Sequence, residues 1–361
     1  MKNHGHKKVG SWFDSPQCEK YRYRLLTGDP NGPPERMSHW YNYLMARFPQ
    51  IGQHKNGKWL SLCCGNGDLE RFFAGKGTFT SCLAVDISDA AIEQAKESAN
   101  EAGISTVEYR SLDLNNHLWE ADTYDVIIAQ GGVHHISNLE HFFTQIQNCL
   151  KPAGVFVMHE YVGASRLKFP ERQVEVINAL MHLIPARFRL GKLPHVAGET
   201  NQDKKSDLEN SQEGPIKRGM QILREGDFRR AWRAVESRLW DAGIGLLSHI
   251  RGIPYGRGPN ARLFRPEKSW KALHFDPSES IRSSEITQVI SKYLDVMEIK
   301  GLGGTALWWL QDFDWTLSSD DDFIKVVKIL MDIEEMLISI GDLQPDVVHI
   351  AAKKRMHVHE S

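Results

Sequence analysis

The chain has 361 residues, 41% hydrophobic and 25% charged, with a formal net charge of −2. That length allows one large α/β domain, alone or with a smaller module, and the near-neutral balance argues against a nucleic-acid partner, whose phosphates need a basic surface. No apolar run approaches the ~18 residues of a membrane span, and residues 1–10 are basic without the apolar core of a secretory signal.

Residues 1–56 are rich in aromatics (Trp12, Phe13, Tyr21, Tyr23, Trp40, Tyr41, Tyr43) around a Gly-Asp-Pro-Asn-Gly-Pro-Pro loop at 28–34, which predicts short helices that cover something. Over 57–165, short apolar runs alternate with helical periodicity. Strands are expected at 59–63, 82–85, 106–109, 124–129 and 155–159, with a helix at 89–102 capped by Ser88 and stopped by Gly103. Strand and helix alternating at this spacing predict βαβ units and a parallel sheet. Residues 166–280 lose that rhythm and are expected to form a helical insertion. Its stretch 199–214 is almost free of apolar side chains and is expected to be mobile. Residues 281–361 regain regular structure: a helix at 286–294, a strand at 296–299, a helix at 323–340 opened by Ser319 and the following aspartates, and a closing strand at 347–352. The five cysteines (Cys18, Cys63, Cys64, Cys82 and Cys149) are odd in number and lack CxxC spacing, so neither a disulfide framework nor structural zinc is expected. No metal is assigned, and the cytoplasm is the expected location.

The central motif is Trp59-Leu60-Ser61-Leu62-Cys63-Cys64-Gly65-Asn66-Gly67-Asp68, an apolar strand running into a glycine turn at a helix start. Gly65 and Gly67 lack a Cβ, so the backbone turns sharply and a ligand comes close. A plain tight turn or a dinucleotide site would use the same glycines. Asp86 ends the second strand, about 20 residues further on, where a carboxylate accepts hydrogen bonds from both ribose hydroxyls of an adenosine. The alternative, that Asp86 only caps the next helix, is weaker because Ser88 is better placed. Asp113 follows the third strand, where an adenine amino group would need an acceptor. Three successive strand ends thus converge on the carboxyl edge, where open α/β sheets bind ligands.

The segments LSLCCGNGD, LAVDIS, SLDLN, YDVIIAQGGVHHI and LKPAGVFVMHEYVG resemble the successive motifs of class I S-adenosylmethionine (SAM)-dependent methyltransferases, well over 57–165 and more loosely over the last two strands. The resemblance implies a Rossmann-like, mostly parallel seven-stranded sheet with an antiparallel last strand and SAM as cofactor. It places Gly65 and Gly67 under the methionine moiety, Asp86 at the ribose, Asp113 with Leu114 at the adenine and Gln130 facing the methyl group and substrate, with Cys64 and Ile87 as further cofactor-binding residues. Two positions depart from the pattern: Ser61 stands where the family carries an acid, and Cys63 where it carries its first glycine. A nicotinamide enzyme would need GxGxxG to seat a pyrophosphate, whereas Asp68 at the helix start would repel one.

His134 and His135 follow the fourth strand on the same edge, where an imidazole suits removal of a hydroxyl proton. Packing or helix capping would also account for them; His135 is favoured as the base. Glu160 and Tyr161 end the fifth strand and are further candidates to deprotonate or bind substrate. Glu160 could instead pair with Arg166. Arg166 and Arg282 would anchor an anionic group or form structural ion pairs. The resemblance of 160–166 and 276–286 is to a bacterial subgroup linked to glycan or natural-product modification. Lys217, Arg218, Arg224, Arg229, Arg230, Arg233 and Arg238 form either a solvated helix face or a patch for an anionic substrate. The expected activity is O-methylation of a small molecule, sugar or natural product, with N- or C-methylation and a non-catalytic SAM-binding role as alternatives.

Overall fold

The computed structural model describes residues 15–32, 37–53, 57–189, 264, 273, 276–310 and 313–356. The chain divides into two compact units, 191–262 and the remainder, and every described residue belongs to the second. The stretch 199–214 and the basic segment 217–238 lie outside the described residues.

Three helices come first: α1 (Pro16–Thr27), α2 (Ser38–Arg47) and α3 (Pro49–Gln53). Then follow β1 (Lys58–Leu62), α4 (Asp68–Gly75), β2 (Ser81–Asp86), α5 (Asp89–Glu101), β3 (Val107–Ser111), β4 (Tyr124–Gln130), α6 (Leu139–Cys149), β5 (Leu150–Tyr161) and α7 (Glu171–Leu183). After the undescribed stretch come α8 (Ile286–Tyr293), β6 (Leu294–Gly301), α9 (Asp321–Ser339) and β7 (Val347–Lys354). The strands form one seven-stranded sheet in the order β3-β2-β1-β4-β5-β7-β6, with β7 antiparallel to both β5 and β6 and the first five strands parallel. The order reverses direction between β1 and β4, which opens a crevice at their carboxyl ends.

Alternation along β1 sorts its side chains. Leu60 and Leu62 pack with Phe142, Phe143 and Ile146 of α6 and Ile286, Val289 and Ile290 of α8. Trp59 packs on the opposite face with Trp40 and Leu44 of α2 and Leu69 and Phe73 of α4. Helices α2 and α3 therefore pack on a sheet face, and Met37, just before α2, also lines a small cavity with Ser61 and Cys63 at the strand ends. Trp40 is fully buried and stacks on the His159 ring at 4.2 Å. Ser88 caps α5, its Oγ accepting the Ala91 N–H at 3.3 Å, as the sequence predicts. Two expectations differ. Strand β5 starts at Leu150 because pairing with Tyr124 continues through the Pro152–Gly154 bend, with a shift in register. The cap of α9 is Asp320, whose Oδ1 accepts the Phe323 N–H at 2.8 Å, and not Ser319.

Candidate functional site

The turn after β1 is built on left-handed residues: φ is 56° at Cys63, 52° at Gly65 and 75° at Gly67. A Cβ on Gly67 would sit 2.7 Å from the Tyr109 ring, so glycine is required there for space as well as for backbone conformation. Cys63 adopts this conformation without being glycine, a strain of about 1–2 kcal/mol. The Asp86 carboxylate holds the turn: Oδ2 accepts the Gly65 N–H at 2.8 Å and Oδ1 the Ser88 N–H at 2.9 Å. Each carboxylate oxygen has a second lone pair to offer.

A cavity of about 470 Å³ opens at this edge. Cys64, Gly65, Asp86, Ile87, Asp113, Leu114, Gln130 and His135 lie on its wall, while Gly67 lies beneath the turn. Asp113 is exposed at the rim, and hydrogen bonds from the Asn115 backbone and side chain and from the Asn116 side chain hold its carboxyl below the usual range. Ile87 is 68% exposed, an apolar side chain at the lip of a polar cleft and a surface for a ring to cover. A second cavity, about 100 Å³, shares Cys63, Cys64 and Gln130 with the first and is also lined by Ser61 and Glu70.

Glu70 is a functional candidate that sequence reading missed. It faces inward from α4 between Leu69 and Phe73, and its Oε1 accepts the Ser61 hydroxyl. Its Oε2 is buried without a partner, and burial pushes the carboxyl up to about 7. The acid missing at position 61 thus arrives from the next helix. The sequence signal was a glutamate on the apolar face of a short helix. Among the described residues, those lining the two cavities include Asp68, Glu70, Asp86, Asp113 and Asp276 and no lysine or arginine, while Arg71 pairs with Asp68 from outside at 2.5 Å. A wider depression of about 840 Å³ lies at the opposite, amino-terminal strand ends around Lys58, Ser81 and Thr106. It is larger but lies away from the crevice that the sheet topology creates.

The other wall is made by a 3₁₀ turn, Val133–His135, resting on Glu160 at the end of β5. Glu160 is buried and saturated: Oε2 accepts the Gly132 and Val133 N–H groups at 3.0 and 2.6 Å, and Oε1 accepts Tyr161 N–H at 2.7 Å and lies 2.6 Å from His134 Nδ1. It pairs with His134, and not with Arg166, and lies outside the cavity wall. Burial works against charge on His134, but Glu160, Glu279 and Asp276 outweigh it and raise its pKa. His135 Nδ1 lies 3.0 Å from Ser278 Oγ and 3.4 Å from Asp276 Oδ2. Burial and the neighbouring His134 lower its pKa.

Tyr161 and Arg166, candidates for substrate contact, are not on the cavity wall. Tyr161 is buried against Trp308 and His134, which its sequence position at a strand end did not reveal. Arg166 has φ 56° and turns its guanidinium to the Pro277 carbonyl. Arg282 forms ion pairs with Glu140 and Glu285 at 2.6 and 2.7 Å, the structural alternative.

Strand order 3-2-1-4-5-7-6 with an antiparallel β7 and a carboxyl-edge crevice defines a Rossmann-like class I methyltransferase fold. Comparison with known sequences agrees: residues 53–213 match the family described as "Methyltransferase domain". The match covers under half of the chain and includes the strands that build the crevice. A ubiquinone biosynthesis O-methyltransferase of Mesorhizobium japonicum is 28% identical over 160 residues, covering 40% of this chain and 62% of that protein. Among solved structures, the YcgJ protein of Bacillus subtilis is 21% identical over 40% of this chain and 58% of its own, with a TM-score of 0.32. The PH0226 protein of Pyrococcus horikoshii is 27% identical over 35% and 59%, with a TM-score of 0.29. These scores add nothing to the fold, which rests on strand order. The chain spans under two thirds of the length of these relatives.

Proposed function

We propose that the protein is a SAM-dependent methyltransferase acting on a hydroxyl of a small molecule, sugar or natural product. The observation that carries this is the charge of the cleft: among the described residues, five acids and no lysine or arginine line the two adjacent cavities. Such a cleft favours a sulfonium and an ammonium and disfavours the pyrophosphate of a nicotinamide dinucleotide.

The residues fit SAM. Asp86 would hold the ribose hydroxyls, Asp113 and Leu114 the adenine, and Ile87 would cover a ring face. Ser61 and the buried Glu70 Oε2 would receive the α-ammonium, and Gln130, on the wall of both cavities, would face the methyl group. When bound, SAM supplies an electrophilic methyl carbon and leaves as a thioether with the bonding electron pair. The protein's part is to hold an acceptor in line and exclude water, where orientation contributes several kcal/mol of the barrier. His135 is the group on the acceptor wall whose imidazole activates the hydroxyl. Glu160 is a positioning residue that acts through His134. The O-methyltransferase relative supports a hydroxyl acceptor.

Labelled SAM incubated with the protein and pools of hydroxylated metabolites tests this, the expected result being a labelled methyl ether. Affinity for NADH equal to that for S-adenosylhomocysteine would overturn it. His135→Ala is expected to lower turnover by roughly 10²–10⁴ with S-adenosylhomocysteine affinity within twofold of wild type. Near-normal turnover in the folded variant would remove His135 from the mechanism.

A further inference from the structure

We propose that His134, His135 and Glu279 form a site for one divalent transition-metal cation on the acceptor wall of the cavity. The inference starts from where each imidazole carries its proton. Glu160 is an acceptor-only carboxylate already receiving three backbone N–H groups, so His134 Nδ1, 2.6 Å from it, must be the donor. In the neutral ring that leaves the lone pair on Nε2. His135 is fixed in the same sense. Ser278 Oγ donates to Asp276 Oδ1 at 2.5 Å, so its oxygen accepts from His135 Nδ1–H at 3.0 Å, and the lone pair is again on Nε2.

Both Nε2 atoms lie near one carboxylate. His134 Nε2 is 3.7 Å from Glu279 Oε1, and His135 Nε2 is 3.8 Å from Glu279 Oε2. All three ligand atoms lie within 4.8 Å of one another. Glu279 Oε1 also accepts the Ser280 hydroxyl at 2.6 Å, which orients the carboxylate and leaves lone pairs for a further partner. Three acceptor groups facing one another are held together either by a proton on His134, whose pKa Glu160 and Glu279 raise against burial, or by a cation among them. Ligand atoms about 2.0–2.1 Å from a zinc ion stand roughly 3.3 Å apart, so the observed spacing closes on an ion with small side-chain movements.

Two imidazoles and one carboxylate suit a borderline ion such as Zn²⁺, Mn²⁺ or Co²⁺, with positions left open. The supports behind the rings, Glu160 behind His134 and Ser278 with Asp276 behind His135, are those that metal-bound imidazoles require. Of the three ligands, His135 lines the cavity, beside its supports Asp276 and Ser278, which puts the site next to the space proposed for the acceptor. The site stands on this geometry alone; its role rests on the methyltransferase proposal. There, a hydroxyl bound to the cation would lose its proton to solvent at neutral pH, and His135 would act on it as a ligand of the cation and not as the proton acceptor. The oxygen then forms the O–CH₃ bond as the methyl–sulfur bond breaks, the electron pair staying on sulfur.

The test is calorimetric titration of chelator-treated full-length protein with Zn²⁺ and Co²⁺, alongside the visible spectrum of the Co²⁺ form. One cation per chain is expected at this site, with affinity reduced at least tenfold in Glu279→Gln and in His135→Ala. S-adenosylhomocysteine affinity should stay within twofold in both variants, which also reports that they fold. Wild-type protein that binds S-adenosylhomocysteine but no cation would overturn the site and leave an imidazolium–carboxylate cluster. Cation binding unchanged in both variants would overturn it too, by assigning the ion elsewhere, as to His4, His6, His357 and His359 at the termini. Cation binding as expected without S-adenosylhomocysteine binding would retain the site and remove the methyltransferase role.

Discussion

The two walls of the cleft are built in different ways. On the side proposed for the cofactor, Gly65, Asp86 and Asp113 stand at the ends of three successive strands, and the acids are half-buried or exposed with lone pairs to spare. On the acceptor side, the ends of β4 and β5 meet residues 276–279 from far along the chain, and the polar atoms largely satisfy one another. The first wall is a local structure waiting for a ligand. The second is a tertiary structure whose polar groups hold each other in place. Substitutions on the first should therefore act on ligand affinity, and substitutions on the second on the fold as well.

Glu160→Ala is the strongest way to break this comparison. It leaves the N–H groups of Gly132, Val133 and Tyr161 and the His134 ring without their shared acceptor in a buried place. At about 1–3 kcal/mol for each unsatisfied buried group, less whatever entering water recovers, a stability loss of about 3–5 kcal/mol is expected. Urea unfolding measures it. A loss below about 1 kcal/mol would mean that the acceptor wall does not depend on its buried carboxylate.

Glu70 is the exception on the cofactor side, a buried acid in the wall that otherwise has exposed ones. Its carboxyl is pushed from the ordinary 4.5 to about 7 by burial, partly offset by Ser61 and Arg71. The folded protein therefore holds a proton that the unfolded chain releases, so stability of the ligand-free protein should fall as pH rises from about 5 to 8. At 1.36 kcal/mol per pKa unit the contribution of this group is about 3 kcal/mol at most. Glu70→Gln should flatten that slope, read from thermal unfolding across the pH series. S-adenosylhomocysteine affinity should rise with pH through the same window, until the ligand's own ammonium titrates. An unchanged slope in Glu70→Gln would place the titration elsewhere.

What could be read in the sequence follows the same division. The strands, the Ser88 cap and the placing of Asp86 and Asp113 at successive strand ends follow from local spacing. The antiparallel last strand came from family resemblance and not from any local pattern. Glu70 was hidden because helical periodicity marks its position as core, and a lone acid there carries no spacing to a partner strand. Glu279 and Asp276 could not be joined to His134 and His135, because only the folded chain brings the 276–279 turn beside the end of β4. Tyr161 and Arg166 are adjacent in sequence to groups that shape the wall, yet side-chain direction takes both away from it.

Asp86→Ala should affect affinity far more than folding. The residue is half-buried, and its backbone partners Gly65 and Ser88 lie in a turn that water reaches. Removing a charged acceptor from the ribose is expected to cost about 1.5–3 kcal/mol of S-adenosylhomocysteine binding, roughly 10–100-fold by calorimetry. Stability should change by less than about 1 kcal/mol. Unchanged affinity would displace the ribose from the end of β2.

The smallest expected effect lies where the two walls touch. Gly132, which begins the turn carrying the histidines, has room for no Cβ: one placed there would stand 2.3 Å from the Cys63 Cβ and 3.1 Å from its Sγ. Its φ is −147°, so the restriction is steric and not conformational. Gly132→Ala must push the turn after β4 away from the turn after β1, an overpacking of about 1–3 kcal/mol. Cys63→Gly removes the atoms it collides with and relieves a left-handed cysteine, while adding the unfolded-state entropy of glycine, so alone it should be nearly neutral. In the Cys63→Gly background the cost of Gly132→Ala should fall by about 1 kcal/mol or more, a coupling that a double-mutant cycle resolves for residues in contact. Additive costs would mean that the turns after β1 and β4 relax independently. Coupling would show that the cysteine at a glycine position sets the spacing between the cofactor turn and the histidine turn.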